Sequence, residues 1–266
     1  MNRRRTIVAV SIVLVSAFCL LYAACAVAAE LVKARDGSGI FGYKNTPILP
    51  WCGYHVHDPD RPAPPVVTPG SQGSAPSDAI VLFDGTDLSK WHPSDWKIED
   101  GELIAVSGHL RTKEPFGDCH LYLEWQAPDP PIGDWADRGN NGVLLMGLYE
   151  IQIYDSYKTL LYPDGQAAAV YGQTPPLVNA CRPPGQWQSY DIIFFAPVFE
   201  GDRLVKPAYV TMLHNGVLVH HNQEIYGPTG HRNIPQYRGP VGPRQPLSLM
   251  SHNNPVRFRN IWIRPL

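Results

Sequence analysis

The segment YEIQIYD, residues 149–155, places acidic and amide side chains two positions apart in a run typical of a β-strand. Because side chains alternate between the two faces of a strand, Glu150, Gln152 and Tyr154 are predicted to point the same way. A retaining glycosidase needs two carboxyl groups about 5–5.5 Å apart, one as nucleophile and one as acid/base. This strand offers one acid at those positions, with Asp155 at its end. Double-displacement glycoside hydrolysis is therefore disfavoured unless the Asp155 side chain turns towards Glu150.

The elements that must position this strand are predicted to be other short strands. The chain has 266 residues, of which 44% are hydrophobic, with 27 prolines and 23 glycines. This composition favours many short strands and turns over a helical bundle. The formal net charge is −2, and no run of Lys and Arg is interleaved with aromatic residues. A nucleic-acid partner is therefore not expected.

Residues 1–29 are predicted to be a secretory signal peptide. Three arginines, Arg3–Arg5, precede an apolar stretch, and Ala26–Ala28 supplies the small residues of a cleavage site. The apolar stretch is also long enough for a membrane anchor. A third alternative is a lipid attached at Cys25, although a tyrosine occupies a position where a small aliphatic residue is usual. The sequence thus predicts export to the periplasm or beyond, with lipid anchoring left open.

The remaining chain divides by composition into two parts. Residues 30–78 form a Pro-rich arm and linker, and residues 79–266 read as short alternating strands with two hairpin turns, Asp100-Gly101 and Asn215-Gly216. No segment has a sustained helical period. We therefore predict an all-β protein with a single two-sheet β-sandwich.

Residues that could bind a metal or form a disulfide are few. His55 and His57 could both be metal ligands on one strand face, but without a nearby third ligand they are interpreted as packing or surface histidines. Beyond the leader the cysteines are Cys52, Cys119 and Cys181. They allow at most one disulfide, and three buried thiols are an equal alternative.

Aromatic side chains on a curved sheet could stack on sugar rings. Any single tryptophan could equally belong to the core. The tryptophans available for either role are Trp91, Trp96, Trp125, Trp135 and Trp187.

From residue 79 to the end, the chain resembles the 3-keto-disaccharide hydrolase domain family. The resemblance implies a concanavalin-like or jelly-roll sandwich and activity on glycosides oxidised at C3 of the sugar, as a hydrolase or as a lyase and hydratase. It rests on nine blocks in the same order: LFDGTDLSKW, WKIEDGELIA, LRTKEPFGDCHLYLEW, NNGVLL, YEIQIYDS, VYG, PGQWQSYDI, HNGVLVHHN and PVRFRNIWIRPL.

The implied chemistry needs only one carboxylate. A ketone at C3 makes the C2 proton acidic, so a base can remove it and the enolate can expel the C1 substituent. Water can then add back. The requirements are a base near C2, a group that stabilises the enolate oxygen, and an acid for the leaving oxygen.

The resemblance also assigns roles to particular residues. It implies that Glu150 or His252 is the general base, and that the other of these two, Gln152 or Arg259 binds sugar hydroxyls or the enolate. The further implied substrate-binding residues are Asp155, Asn141 and Trp187. Family members suggest that a divalent metal is possible, with Glu150, Asp155, His221 and His252 as ligands of a suitable kind.

Two positions depart from the family pattern. Met250 and Gln188 stand where the family commonly has Gln and Asn, and a methionine cannot hydrogen-bond a sugar as an amide can. The leading interpretation is an exported enzyme that cleaves 3-keto-glycosides. A non-catalytic carbohydrate-binding module is the alternative, and a scaffold or cell-surface interaction domain is a third.

Overall fold

A computed structural model describes residues 30–71, 73–134 and 137–266. In the described chain, one short 3₁₀ turn, Pro163–Gly165, accompanies sixteen strands. The strands are β1 (Leu31–Lys33), β2 (Phe41–Tyr43), β3 (Ile80–Phe83), β4 (Lys97–Glu99), β5 (Glu102–Ile104), β6 (Gly108–Phe116), β7 (Cys119–Gln126), β8 (Asn141–Leu145), β9 (Tyr149–Ile153), β10 (Gln188–Phe195), β11 (Val198–Glu200), β12 (Arg203–Lys206), β13 (Ala208–His214), β14 (Val217–Ile225), β15 (Gln245–Ser251) and β16 (Arg257–Pro265).

Two antiparallel sheets carry most of these strands, which confirms the predicted all-β sandwich. The large sheet has eight strands in the order β14-β13-β10-β7-β16-β5-β4, with β3 paired to β16. The small sheet has four strands in the order β6-β15-β8-β9. The remaining strands form two short ribbons, β1-β2 and β11-β12.

The core lies between the two sheets. Tyr149, Ile151 and Ile153 on one face of β9 are fully buried, and the Tyr149 ring centroid lies 5.9 Å from that of Phe194 on β10. The Tyr190 hydroxyl of β10 donates a 2.6 Å hydrogen bond to the backbone oxygen of Gln152. The small sheet is thereby fixed over the large one by both apolar packing and a buried hydrogen bond.

Both predicted hairpin turns are present. Asp100 and Gly101, between β4 and β5, have φ values of 54° and 77°, and Asn215 and Gly216, between β13 and β14, have φ values of 53° and 77°. Two consecutive residues with positive φ are the signature of the tight turn that matches the twist of paired strands. The Asn-Gly and Asp-Gly pairs therefore set the register of these two hairpins.

Contacts divide the chain after Val66. In the first unit, the His55 imidazole bonds to the backbone oxygen of Thr46, and the His57 ring meets the Tyr43 ring edge-on with centroids 6.4 Å apart. Both histidines thus have packing partners. The domain boundaries at residues 29 and 78 stay predictions, and the leader and Cys25 lie outside the described residues.

The cysteines and most of the tryptophans have structural roles. Cys52, Cys119 and Cys181 are all free thiols, so the possible disulfide does not form among the described residues. Three tryptophans are buried in the core and cannot stack on a sugar, and Trp135 lies outside the described residues. The buried three are Trp91, Trp96 and Trp125.

Candidate active site on the small sheet

The outer face of the small sheet, which points away from the core, carries the predicted catalytic strand. Glu150 and Gln152 lie on this face of β9, because their neighbours Tyr149, Ile151 and Ile153 fill the core. In the strand register, Glu150 lies opposite Leu144 of β8. The alternation predicted from YEIQIYD is therefore present from Tyr149 to Ile153. Tyr154 follows the end of β9, where it is buried and does not line the cavity on this outer face.

A chain segment after the 3₁₀ turn covers the free edge of β9. The backbone N–H of Tyr171 donates to the Glu150 oxygen at 3.0 Å, and the Gln152 N–H donates to the Ala169 oxygen at 3.0 Å. The Ala168 N–H returns a bond of 2.9 Å to the Gln152 oxygen. These bonds satisfy the edge of the sheet and carry the Tyr171 side chain to the same cavity as Glu150.

A cavity of about 510 Å³ lies on this outer face, and we call it the inner cavity. It is formed by β8, β9, the end of β15, and the loops before β8 and after β14. Its lining residues are Asp137, Asn140, Leu144, Gly147, Leu148, Glu150, Tyr162, Tyr171, Pro228, Thr229, Gly230, His231, Met250 and His252.

The Glu150 carboxyl is buried at the floor of this cavity without a compensating group. The residue is 5% exposed, and its carboxyl makes no hydrogen bond or ion pair to another described residue. Burial raises the pKa of Glu150 to about 8. A carboxylate in this setting is a stronger base than one in water.

A glycine in the adjacent strand creates the space for this carboxyl. A Cβ atom added to Gly142 of β8 would lie 2.7 Å from the Glu150 Oε1. The carboxyl therefore leans over Gly142, where any other residue type would displace it. The NNGVLL block thus supplies both strand β8 and, at Gly142, the space that the Glu150 carboxyl occupies.

The loop after β14 closes one wall. The Glu150 backbone N–H donates to the Thr229 hydroxyl at 2.9 Å, and the Thr229 N–H donates to the Leu148 oxygen at 2.9 Å. These two bonds attach the loop to the beginning of β9 and bring His231 to the cavity.

His252, which follows the last residue of β15, also lines the cavity. Its backbone N–H donates to the Asn140 oxygen at 3.3 Å. Although His252 is exposed, its partial loss of solvent in the cavity lowers the pKa of the imidazole. The charge of Asp137 opposes this shift, and His231 adds to it. A neutral imidazole is therefore favoured at neutral pH, and it can both accept and donate a hydrogen bond.

Three side chains that were not among the candidates form a hydrogen-bonded chain beside Glu150. The hydroxyl groups of Tyr162 and Tyr171 are 3.1 Å apart, and the Tyr171 hydroxyl lies 2.9 Å from Nδ1 of His231. Burial, followed by the bond to Tyr162 and then the Glu150 charge, raises the pKa of Tyr171, so the phenol keeps its proton. The sequence signal for Tyr171 was the short VYG block, which is too brief to assign a role.

The predicted amide residues take different positions. Gln152 donates from Nε2 to the Asn140 Oδ1 at 3.4 Å, and its Oε1 is buried without a partner. Asn141 lies on the inward face of β8 together with the core residues Val143 and Leu145, and it donates to the Asn254 oxygen at 3.2 Å. Asn140, one position earlier, lines the cavity in its place.

The structure does not bring Asp155, Arg259 or Trp187 to the cavity. Asp155 is buried and forms an ion pair with Arg138. Arg259 belongs to the large sheet, where its Nε lies 2.6 Å from the Glu124 carboxylate and its guanidinium lies 4.0 Å above the Trp187 ring. The resemblance implied that Asp155, Arg259 and Trp187 bind the substrate, but in the structure each of them contacts another side chain of the protein instead.

The four possible metal ligands are also separated. Glu150 and His252 line the cavity, whereas Asp155 pairs with Arg138 and His221 is exposed on β14 of the large sheet. In the described part of the chain, no three His, Cys, Asp or Glu side chains are grouped as a metal site would require. These residues do not fit a preformed metal centre.

The two departures from the family pattern have different consequences. Met250 lines the cavity, so an apolar side chain stands where an amide is common. Gln188 is buried, and its Oε1 accepts hydrogen bonds from the Arg182 backbone N–H at 3.0 Å and from Asn215 at 2.7 Å. The first change alters the cavity, and the second affects a structural contact.

The chain is similar to a known protein family and to several solved structures. A family model described as the 3-keto-alpha-glucoside-1,2-lyase-like domain matches residues 78–264. A crystal structure of a "putative glycosyl hydrolase" from Parabacteroides distasonis is 40% identical with a TM-score of 0.75, and the alignment covers 83% of this chain and 100% of the other. None of the proteins with curated functions matches the chain.

Two further structures from Parabacteroides distasonis carry the same description. They are 18% and 20% identical to this chain, each with a TM-score of 0.52. The alignments cover 71% of this chain and 94% and 99% of the respective structures. At this level of identity the likeness shows the fold alone.

Proposed function

Because the chain belongs to the 3-keto-alpha-glucoside-1,2-lyase-like domain family, we propose that it is a carbohydrate-active enzyme that cleaves 3-keto-glycosides, with Glu150 as the general base. The name of the 40% identical relative supports a glycoside substrate. The leader predicted at residues 1–29 supports export as part of the same proposal.

One observation carries the proposal: the Glu150 carboxyl is buried and unpaired at the floor of a cavity that can hold a sugar ring. Burying an unpaired carboxylate costs free energy, so a fold keeps such a group where it has a use. A pKa raised to about 8 is close to the working pH, where general bases are most effective.

In the proposed reaction, the Glu150 carboxylate takes the proton from C2 of the 3-keto sugar. The electron pair of the C2–H bond forms an enolate with the C3 ketone, and the enolate then expels the C1 oxygen substituent, which leaves a C1–C2 double bond. The leaving oxygen takes up a proton and departs as an alcohol. Addition of water, with hydroxyl to C1 and hydrogen to C2, would complete a hydrolysis.

Two other residues fit the remaining requirements. A neutral His252 can donate a hydrogen bond to the C3 oxygen as negative charge develops there. The Tyr171 hydroxyl lies beside Glu150 and retains its proton, so it is suited to protonate the leaving oxygen. His231 at 2.9 Å from this hydroxyl can hold it in position.

The test is turnover of a nitrophenyl 3-keto-α-glucoside and of 3-keto-trehalose by the purified protein, residues 30–266. We expect release of nitrophenol and of 3-keto-glucose by the wild type. Glu150→Gln should lower kcat by at least about a hundredfold, the usual contribution of a general base. Glu99→Gln, an exposed glutamate on β4 of the large sheet, is the matched control and should retain full activity.

Each alternative result has a definite meaning. Equal activity in Glu150→Gln and the wild type would exclude Glu150 as the base. Sugar binding in calorimetry without turnover by a folded wild type would identify a carbohydrate-binding module instead.

A further inference from the structure

A second cavity of about 530 Å³ adjoins the inner cavity, and we call it the outer cavity. Tyr162, Tyr171 and His231 line both cavities. The outer cavity continues past them to Ile234 and Pro235, and Glu150 is not part of its lining. The hydrogen-bonded chain of two tyrosines and a histidine is therefore the boundary between the two spaces.

We propose that the outer cavity is the leaving-group subsite and that it takes an aryl or similarly flat apolar leaving group. This inference rests on the proposed function, because it assumes that the reacting sugar lies over Glu150. It adds the class of aglycone, which the proposed reaction leaves open.

The position of the boundary supports the assignment. In the proposed elimination, the bond that breaks joins C1 of the sugar to the leaving oxygen. The Tyr171 hydroxyl, which is suited to protonate that oxygen, lies where the cavities meet. A substrate with its C2 proton at Glu150 and its leaving oxygen at Tyr171 would therefore extend its aglycone into the outer cavity.

The chemistry of the lining favours an apolar ring. Ile234 is 79% exposed and Tyr162 is 42% exposed, so both offer apolar surface that a ligand can cover. The hydroxyls of Tyr162 and Tyr171 already bond to each other and to His231. The ring surfaces of these tyrosines thus remain for stacking on a flat leaving group. Asp164, Arg232 and Asn233 also line the cavity and can hydrogen-bond to polar substituents on such a ring.

The experiment compares phenyl and methyl 3-keto-α-glucosides as substrates of the wild type, Ile234→Ala and Ile98→Ala. Ile98 is a partly exposed isoleucine on β4 of the large sheet and serves as the matched control. We expect Ile234→Ala to raise KM for the phenyl substrate by about three- to tenfold, since covering an isoleucine is worth up to about a tenfold change in affinity. KM of Ile234→Ala for the methyl substrate should stay within about twofold of the wild-type value. The same should hold for KM of Ile98→Ala with either substrate.

The outcomes separate the two proposals. If both substrates turn over and Ile234→Ala changes KM equally for the two, or for neither, the proposed subsite is wrong. The proposed reaction would then still be supported. If neither substrate turns over, the proposed reaction is wrong, and calorimetry with phenyl and methyl α-glucosides decides the subsite. Tighter binding of the phenyl compound that is lost in Ile234→Ala would support it, and equal binding of the two would refute it.

Discussion

At the residue scale, Glu150 should give the enzyme its pH dependence. The carboxylate is the active form of the base, and burial raises the pKa of Glu150 to about 8. We therefore expect kcat/KM for a 3-keto-glycoside to rise about tenfold per pH unit below that value and to level off above it. A pH–rate profile measures this directly. A profile that is flat between pH 5 and 8 would mean that Glu150 does not act as the base.

The same buried carboxyl should destabilise the protein as the pH rises. The folded-state pKa of Glu150 is about 8 against an ordinary 4.5, so the folded state binds the extra proton between these values. The stability of the wild type therefore falls from about pH 4.5 to 8, by on the order of 3–5 kcal/mol. Glu150→Gln removes this loss.

Thermal melting tests this linkage. Glu150→Gln should melt at the same temperature as the wild type near pH 4.5 and at least about 5 °C above it at pH 8. A lower melting temperature of the variant at pH 8 would contradict the absence of a partner for this carboxyl. The same measurement shows that the variant used for turnover is folded.

At the scale of the elements, the spacing between β8 and β9 should control the position of the base. Gly142→Ala would place a Cβ atom 2.7 Å from the Glu150 Oε1. This atom belongs to a flexible side chain, so the carboxyl should move while the sheet remains. We expect kcat to fall by at least about tenfold, because a displaced base loses its reacting geometry.

The control for this variant is its melting curve, which should lie within a few degrees of the wild type. Full activity in folded Gly142→Ala would show that the position of the carboxyl over Gly142 does not matter. A large loss of stability would show instead that the backbone cannot accept the change.

Sequence patterns predicted some elements better than others. Strict alternation identified β7, β9, β10 and β13, because this signal is local. The Asp-Gly and Asn-Gly pairs, which are equally local, identified the β4–β5 and β13–β14 hairpins. β6 carries mostly polar residues with few buried positions, so its pattern gave no strand signal. Pairing with β15 decides its conformation.

At the scale of the whole molecule, the segment before β3 belongs physically with the sandwich. The Asn260 side chain and the Trp262 indole donate to the Gly73 oxygen at 2.7 and 2.8 Å. Asp78 pairs with Arg264 at 2.5 Å. Removing residues up to 66 should therefore leave the melting temperature of the sandwich within a few degrees, because the contacts divide the chain at that point.

A second truncation provides the comparison. Removing residues up to 78 takes away the acceptor of two side-chain donors and one ion pair, so we expect a melting temperature at least about 5 °C lower than that of the shorter truncation. Equal melting temperatures for the two truncated proteins would show that the segment adds nothing to the stability of the sandwich.

The sequence by itself determined the all-β class, the hairpins, the family and the outward direction of Glu150 and Gln152. These depend on alternation, turn residues and ordered blocks, all of which are read along the chain. Only the tertiary structure decided which polar groups share the cavity. It placed Asn140 there and turned Asn141 away, paired Asp155 with Arg138 and Arg259 with Glu124, and brought Tyr171 and His231 beside Glu150. These positions depend on which side chains form hydrogen bonds and ion pairs with each other once the sheets and loops have packed. Residues far apart in the sequence form these contacts, so a local sequence pattern cannot predict them.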